Sequence, residues 1–299
     1  MTTLPRLGLG TVQFGLDYGV SNQSGRPGEA EVAAILARAA EGQVGYIDTA
    51  PTYGNAEVLV GRHLPARHRL RIVTKTPPIA EERIEARHGI LLLESVATSL
   101  ERLKVGALHG LLIHHAGDLA KPGWQYIVDA LAETHARGWV ARTGASIYDA
   151  GQLDLVESRF TPQLVQMPLN ALDQRPIVSG ALARLKAKNI EIHARSVFLQ
   201  GLLLMEPKAL PDFFLPIRND IETLHRCWAE KGRSAIDGCL GFALQLPEID
   251  AVIVGANRVT EFDEIVDVAR HSAGITDCGV MPAINPVYLD PSCWPAFGR

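Results

Sequence analysis

The fold of this chain turns on the stretch Gly45-Tyr46-Ile47-Asp48-Thr49-Ala50-Pro51-Thr52-Tyr53-Gly54. Val44, Tyr46 and Ile47 form a short apolar run that reads as a buried strand, and the run stops abruptly at Asp48. An acid, two hydroxyls and a phenol follow, closed by Pro51 and Gly54. Where strands and helices alternate around a barrel, the carboxyl ends of the strands form the face that carries chemistry. The same residues also fit an ordinary strand-to-helix loop, with Asp48 as a turn residue and Thr52 as a cap.

The beat recurs on both sides of this stretch. Residues 6–11 read as a glycine-punctuated strand and 29–41 as a helix, with Val32, Ile35, Leu36 and Ala39 on one face. Further strands are predicted at 70–75, 108–113, 140–145, 164–167, 190–194 and 250–254. Helices are predicted at 55–63, 87–102 (Ile90, Leu93, Val96, Leu100 and Leu103 at helical spacing), 126–137, 149–158, 178–188, 217–230, 234–246 and 260–269. Eight strands, nearly all followed by helices, predict an α/β fold: one closed (β/α)8 TIM barrel domain over residues 1–299. Residues 197–216 hold Gly201, Pro207, Pro211 and Pro216, break the beat, and read as a long ordered functional loop. The Pro-rich tail from His271 is expected to lie across the molecule. Residues 12–27 form an irregular Gly-rich loop, so no helix follows Gly8-Leu9-Gly10 at once. The dinucleotide fingerprint of a doubly wound sheet therefore fails.

Composition narrows the function classes. Charged residues make up 21% and the net charge is -4, so nothing asks for a nucleic-acid or membrane partner. No apolar run reaches the length of a membrane span, and the N-terminus lacks the pattern of a secretion signal. Cys227, Cys239, Cys278 and Cys293 show no CxxC spacing, which points to reduced thiols in a cytoplasmic protein.

Several strands end in complementary chemistry: Asp48 with Tyr53, Lys75, His114, and a polar set of Ser146, Gln166, Arg195 and Ser196. Barrel geometry gathers those ends around one mouth. An ammonium beside a phenol is expected to pull its pKa of about 10 downward, and a carboxylate beside the ammonium keeps the lysine charged. Such a set can protonate a carbonyl oxygen while a nucleophile attacks its carbon. No side chain supplies hydride, so a nicotinamide cofactor must. Each residue also has a structural reading: Asp48 and Lys75 as a buried ion pair, Ser146 as a helix cap, Gln166 as a satisfied amide. His114 and His115 adjoin, but carboxylates at ligand spacing are missing, so no metal is expected. His115, Asp17, Tyr18, Trp124 and Trp294 are candidates for the substrate pocket or loop packing.

The chain resembles the aldo-keto reductase superfamily in Leu7-Gly8-Leu9-Gly10-Thr11, Tyr46-Ile47-Asp48-Thr49-Ala50 with Tyr53-Gly54, and Val73-Thr74-Lys75. Leu112-Ile113-His114, Thr143-Gly144-Ala145-Ser146, Gln166 with Asn170, and Val252-Ile253-Val254-Gly255-Ala256 continue the likeness in order. The resemblance implies an NADP(H)- or NAD(H)-dependent oxidoreductase with the cofactor extended across the barrel mouth under the long loop. It implies a catalytic set of Asp48, Tyr53, Lys75 and His114, with Tyr53 as proton donor to a small carbonyl or sugar substrate. Ser146 and Gln166 would hold the carboxamide, Ser196 and the loop through Gly201 the pyrophosphate, and Gly255, Asn257 and Arg258 at the last helix the adenosine phosphate.

Four residues at the expected cofactor site depart from that pattern. Ile147 stands where the family commonly has asparagine, and Arg195 where many members stack a tyrosine, although a guanidinium plane can stack too. Arg258 suits a 2′-phosphate, whereas Glu261 would repel one, and Ile265 replaces a usual asparagine. Family habit favours NADP(H), with NAD(H) as the alternative. Val12 replaces a frequent tryptophan and hints at a polar, sugar-like substrate. A cofactor-sensing regulatory subunit with slow turnover is the rival reading. A Schiff-base lyase through Lys75 is disfavoured, because a lysine held charged by Asp48 is a poor nucleophile. Oligomeric state is left open.

Overall fold

The computed structural model of the chain describes residues 6–22, 24–65, 67–271 and 278–295. The first half runs β1 (Leu7–Gly10), α1 (Val12–Gly15), α2 (Glu29–Arg38), β2 (Tyr46–Asp48), α3 (Ala56–His63), β3 (Arg71–Lys75), α4 (Ala86–Leu103), β4 (Leu108–Ile113) and α5 (Gln125–Ala136). The second runs β5 (Val140–Ser146), α6 (Ala150–Arg159), β6 (Leu164–Pro168), α7 (Arg175–Val178), α8 (Ala181–Ala187), β7 (Glu191–Arg195), α9 (Arg218–Glu230), α10 (Ala235–Leu244), β8 (Ala251–Val254) and α11 (Val259–His271). The strands pair in chain order, and the parallel pairing of β1 with β8 closes the barrel. This is the (β/α)8 fold that the sequence predicts.

Side chains alternate in and out along a strand, and the two faces bury different partners here. Tyr46, Val73, Leu112, Leu164, Ala251 and Ile253 form a buried cluster of their own, the fill of the barrel interior. Their immediate neighbours, among them Ile47, Ile72, Leu111, Val165 and Val252, belong to the larger core shared with the helices. Burial on both faces is why these strands read as continuous apolar runs. Gly110 keeps the interior from overfilling: a Cβ there would lie 2.6 Å from Leu164 Cδ2.

This phase positions the site. Two residues beyond Tyr46 comes Asp48, beyond Val73 comes Lys75, beyond Leu112 comes His114, and beyond Leu164 comes Gln166. By the same step Gly144 leads to Ser146, His193 to Arg195 and Ile253 to Gly255. A period of two places all of them on the inward face at the carboxyl mouth.

Other expectations shift locally. The helix predicted at 178–188 is two short helices, α7 and α8, parted at Gly180 with φ 73. Of the face expected for α4, Val96 and Leu103 are buried, but Ile90 is 58% exposed, and Leu92 is buried in its stead. Residues 197–216 pack as a chain of 3₁₀ turns with Leu199, Leu202, Leu203 and Phe214 buried. The described tail packs on them, Tyr288 against Phe213 at 5.3 Å and Trp294 against Phe214 at 4.7 Å between ring centroids.

The expectation of four reduced thiols is corrected. Cys227 on α9 is disulfide-bonded to Cys278 in the tail, with Cα atoms 6.0 Å apart; Cys239 and Cys293 are free. The partners are 51 residues apart in sequence, and only the packing of the tail beside α9 brings them together. No helix among the described residues is long and apolar enough to cross a membrane.

Candidate active site

The mouth of the barrel opens into a cavity of about 530 Å³, within the range of small-molecule and cofactor sites. Asp48, Tyr53, Lys75, His114, Ser146, Gln166, Arg195, Ser196, Gly201, Gly255, Asn257 and Glu261 all line it. Arg258, expected at the adenosine phosphate, is exposed and lies outside that lining.

At the floor, Lys75 Nζ donates to Asp48 Oδ1 at 2.7 Å and to the Thr49 carbonyl at 2.9 Å. The Asp48 and Lys75 side chains are 8% and 1% exposed, so little water shields the pair. Gln166 Nε2 donates to Asp48 Oδ2 at 2.7 Å. The sequence reading gave Gln166 a cofactor role or that of a satisfied buried amide, and the contact with Asp48 was in neither. It fixes the amide with its Oε1 turned away, buried and without a partner among the described residues.

Tyr53 sits on the loop after β2, its ring centroid 5.1 Å from Lys75 Nζ and 5.8 Å, edge to face, from the His114 ring. The loop is held by a close backbone crossing: Gly54 takes φ +55, and a Cβ there would lie 2.5 Å from the Gly15 carbonyl oxygen. Thr52 Oγ1 lies 3.4 Å from His114 Nδ1. Burial pulls the Lys75 pKa down, but Asp48 and Tyr53 more than offset it and leave the ammonium above its ordinary value. Burial, and then Lys75, push His114 down to about 4, so its imidazole is neutral at pH 7.

For Tyr53 the expected direction is corrected. Burial raises its pKa by more than the Lys75 ammonium lowers it, so the resting phenol lies above its ordinary value. The sequence supplied the cation but not the depth of the phenol. At neutral pH the hydroxyl therefore keeps its proton.

Around the walls, the Arg195 guanidinium stacks on Tyr148 at 4.3 Å from the ring centroid. It also donates to the Ser196 hydroxyl at 3.3 Å and the Ile147 carbonyl at 3.2 Å. Tyr148 had no sequence signal, being one phenol in a short loop before α6. Tyr18 lines the cavity, and burial pushes its phenol up to about 12. The other pocket candidates do not reach it. His115 pairs with Asp118 at 3.3 Å, Trp124 stacks with Arg159 at 4.8 Å, and Trp294 packs in the tail. Asp17 is exposed, outside the lining.

The loop after β7 closes over one side. Ser196, Leu199 and Gln200 hold positive φ values of 60, 47 and 56, each an unfavourable conformation for a side-chain-bearing residue. Asn170 Nδ2 secures the Ser196 carbonyl at 3.0 Å, and Val20 N donates to the Gln200 carbonyl at 3.0 Å. Gly201 has φ +86, and a Cβ there would lie 1.8 Å from Ser21 Oγ, so the two covering loops meet at this glycine.

At the far end, Asn257 N donates to Glu261 Oε2 at 2.8 Å, and Val259 N donates to Glu31 Oε1 of α2. Glu264 and Ile265 also line this end. Gln13 Oε1 and Asn257 Oδ1, like Gln166 Oε1, are buried acceptors without a partner among the described residues, and all three residues line the cavity. Several unsatisfied acceptors lining one cavity suit a ligand with several spaced donors, as a nicotinamide dinucleotide has.

The sequence model of the aldo/keto reductase family matches residues 6–277. Solved structures share the fold. The aldo-keto reductase AKR11C1 from Bacillus halodurans, in a holo form, superposes with a TM-score of 0.70 at 18% identity, over 97% of this chain and 99% of that one. The glycerol dehydrogenase AKR11B4 from Gluconobacter oxydans superposes with a TM-score of 0.64 at 21% identity, over 94% of this chain and 96% of that one. The sequence finds no match among the curated proteins.

Proposed function

We propose that this chain, which belongs to the aldo/keto reductase family, reduces an aldehyde or ketone, or oxidises the matching alcohol or sugar, with Tyr53 as the acid and base. The observation that carries the reading is the buried run Gln166–Asp48–Lys75 ending under the Tyr53 ring. A bound nicotinamide dinucleotide would supply the hydride equivalent that no side chain can. Gln166 Oε1 and Ser146 would hold its carboxamide, and Arg195 on Tyr148 would wall the ring. Ser196 and the loop through Gly201 would hold the pyrophosphate, and Gly255, Asn257 and the start of α11 the adenosine.

Each catalytic side chain then has a defined task. Asp48 holds Lys75 as an ammonium in a dry setting, where its field is strong. The raised pKa of Tyr53 keeps a proton on the phenol until the carbonyl oxygen becomes basic enough to take it. Lys75 then stabilises the phenolate that the transfer leaves behind. Neutral His114 can donate a hydrogen bond to the carbonyl oxygen and orient it without adding charge. In the oxidative direction the same phenolate takes the proton back.

Gln13, Tyr18, Ser21 and Asn22 make the front of the cavity polar, which favours a hydroxylated carbonyl compound over an apolar one. That one structural neighbour is a glycerol dehydrogenase supports the same class. The chain acts as one catalytic domain. A cytoplasmic location belongs to this proposal, and the Cys227–Cys278 bridge is the feature at odds with a reducing compartment.

The test follows the absorbance of reduced cofactor in the presence of aldehydes, ketoses and aldoses. Carbonyl-dependent oxidation of the cofactor is expected. Tight cofactor binding without turnover on any of them would instead support a cofactor-sensing regulator.

A further inference from the structure

Family habit favours NADP(H), but the residues around the start of α11 have the opposite chemistry. The first amides of a helix ordinarily lack partners and offer a ready anion site. Here the Asn257 amide is taken by the carboxylate of Glu261, and the Val259 amide by that of Glu31, reaching over from α2. Glu264 adds a further carboxylate to the lining. The lysine and arginine that line the cavity, Lys75 and Arg195, belong to the barrel mouth, and Arg258 lies outside the lining.

A 2′-phosphate would bring nearly two negative charges to this end, beside carboxylates and against amides already committed. A ribose 2′-hydroxyl would instead bring a donor, which a carboxylate accepts. An acid on the ribose hydroxyls for NAD, and an arginine for the 2′-phosphate of NADP, is a general division of labour in dinucleotide sites. We propose that Glu261, supported by Glu31, makes this protein select NAD(H) and reject NADP(H). The inference rests on the reading of the cavity as a nicotinamide-dinucleotide site with its adenosine end at α11.

The plain alternative is that Glu261 only caps its helix, since acids in a first turn stabilise the helix dipole. The two roles separate in binding. Two phosphate charges about 5 Å from one carboxylate in water-like surroundings correspond to a selectivity of roughly tenfold or more. That selectivity should shrink as salt screens the repulsion.

The experiment titrates the intact protein with NADH and with NADPH at low and high salt, following protein fluorescence, with no substrate present. Wild type is compared with Glu261→Gln, Glu31→Gln and Arg258→Gln, and thermal melts report folding. Glu261 is exposed, so its substitution leaves the core untouched. NADH is expected to bind roughly tenfold or more tighter than NADPH. Glu261→Gln is expected to narrow the gap by tightening NADPH, and Arg258→Gln to leave it unchanged. Two results would overturn the inference alone: NADPH binding as tightly as NADH or tighter, with Arg258→Gln weakening only NADPH, or a gap that Glu261→Gln does not move. Failure of wild type to bind either cofactor would overturn the proposed function as well.

Discussion

Replacing Asp48 by asparagine tests whether the barrel mouth is a dry, preorganised site. The substitution keeps the shape and removes the charge that faces Lys75 at 2.7 Å. Lys75 is then left with the Thr49 carbonyl at 2.9 Å and neutral amide oxygen. Breaking a buried ion pair on one side typically destabilises by about 3–5 kcal/mol, against about 1 kcal/mol at most for an exposed pair. The 1% exposure of Lys75 selects the larger figure. The pH dependence has a definite sign. In wild type the folded-state pKa of Lys75 is raised, so its contribution is fully present below the unfolded value near 10.5 and is lost as pH rises through the folded pKa. In Asp48→Asn, burial acts without its main counterweight, Tyr53 alone remaining, and the folded pKa is expected to fall below the unfolded one. The folded variant then binds fewer protons than the unfolded chain, and its stability should recover as pH rises towards about 10. Urea unfolding at a series of pH values reads both effects, with the m-value checking that the compared states are the same. The double variant Asp48→Asn/Lys75→Met, which leaves no orphaned charge, should be more stable than Asp48→Asn alone. A loss below about 1 kcal/mol, with no recovery at high pH, would show that the pair is hydrated and refute the dry-mouth reasoning.

His114 is depressed to about 4 in the folded state from an ordinary 6.5, so the protein should lose stability as pH falls through that window, and His114→Asn should lose less over the same range. Urea unfolding of both proteins across the window measures the difference. Denatured without reductant, the chain should titrate two thiols, Cys239 and Cys293, and four after reduction. In the native protein only exposed Cys293 should react readily, because burial raises the Cys239 thiol. Cys227→Ser should lower stability by about 4 kcal/mol on the chain-entropy estimate for a loop of this length, read by urea unfolding. Gly201→Ala places a methyl against Ser21 at a positive φ, and should cost about 1–3 kcal/mol and weaken cofactor binding in a fluorescence titration.

The barrel was legible because short apolar stretches alternate with helical patterns along the chain, and most of those stretches end in a polar residue. The period of two then carried Asp48, Lys75, His114, Ser146, Gln166 and Arg195 into one mouth without further information. What was not legible depended on contacts between distant segments or on depth. Glu31 reaches the α11 amide across 228 residues, and Cys227 meets Cys278 across 51. Tyr148 gains its role only because the α6 approach passes under Arg195. The direction of the Tyr53 shift needed the balance of burial against the Lys75 charge, and a sequence names both groups without giving either distance. Arg258 had the right type and place in the chain, and the turn into α11 leaves it outside the cavity.

The most direct test of Tyr53 as the proton donor compares wild type with Tyr53→Phe in two assays, cofactor binding by fluorescence titration and carbonyl-dependent oxidation of the reduced cofactor. Retained binding with turnover lowered by roughly 10²–10⁴-fold is the expected result. Turnover by Tyr53→Phe within about tenfold of wild type would contradict it, since general acid catalysis typically contributes more than that.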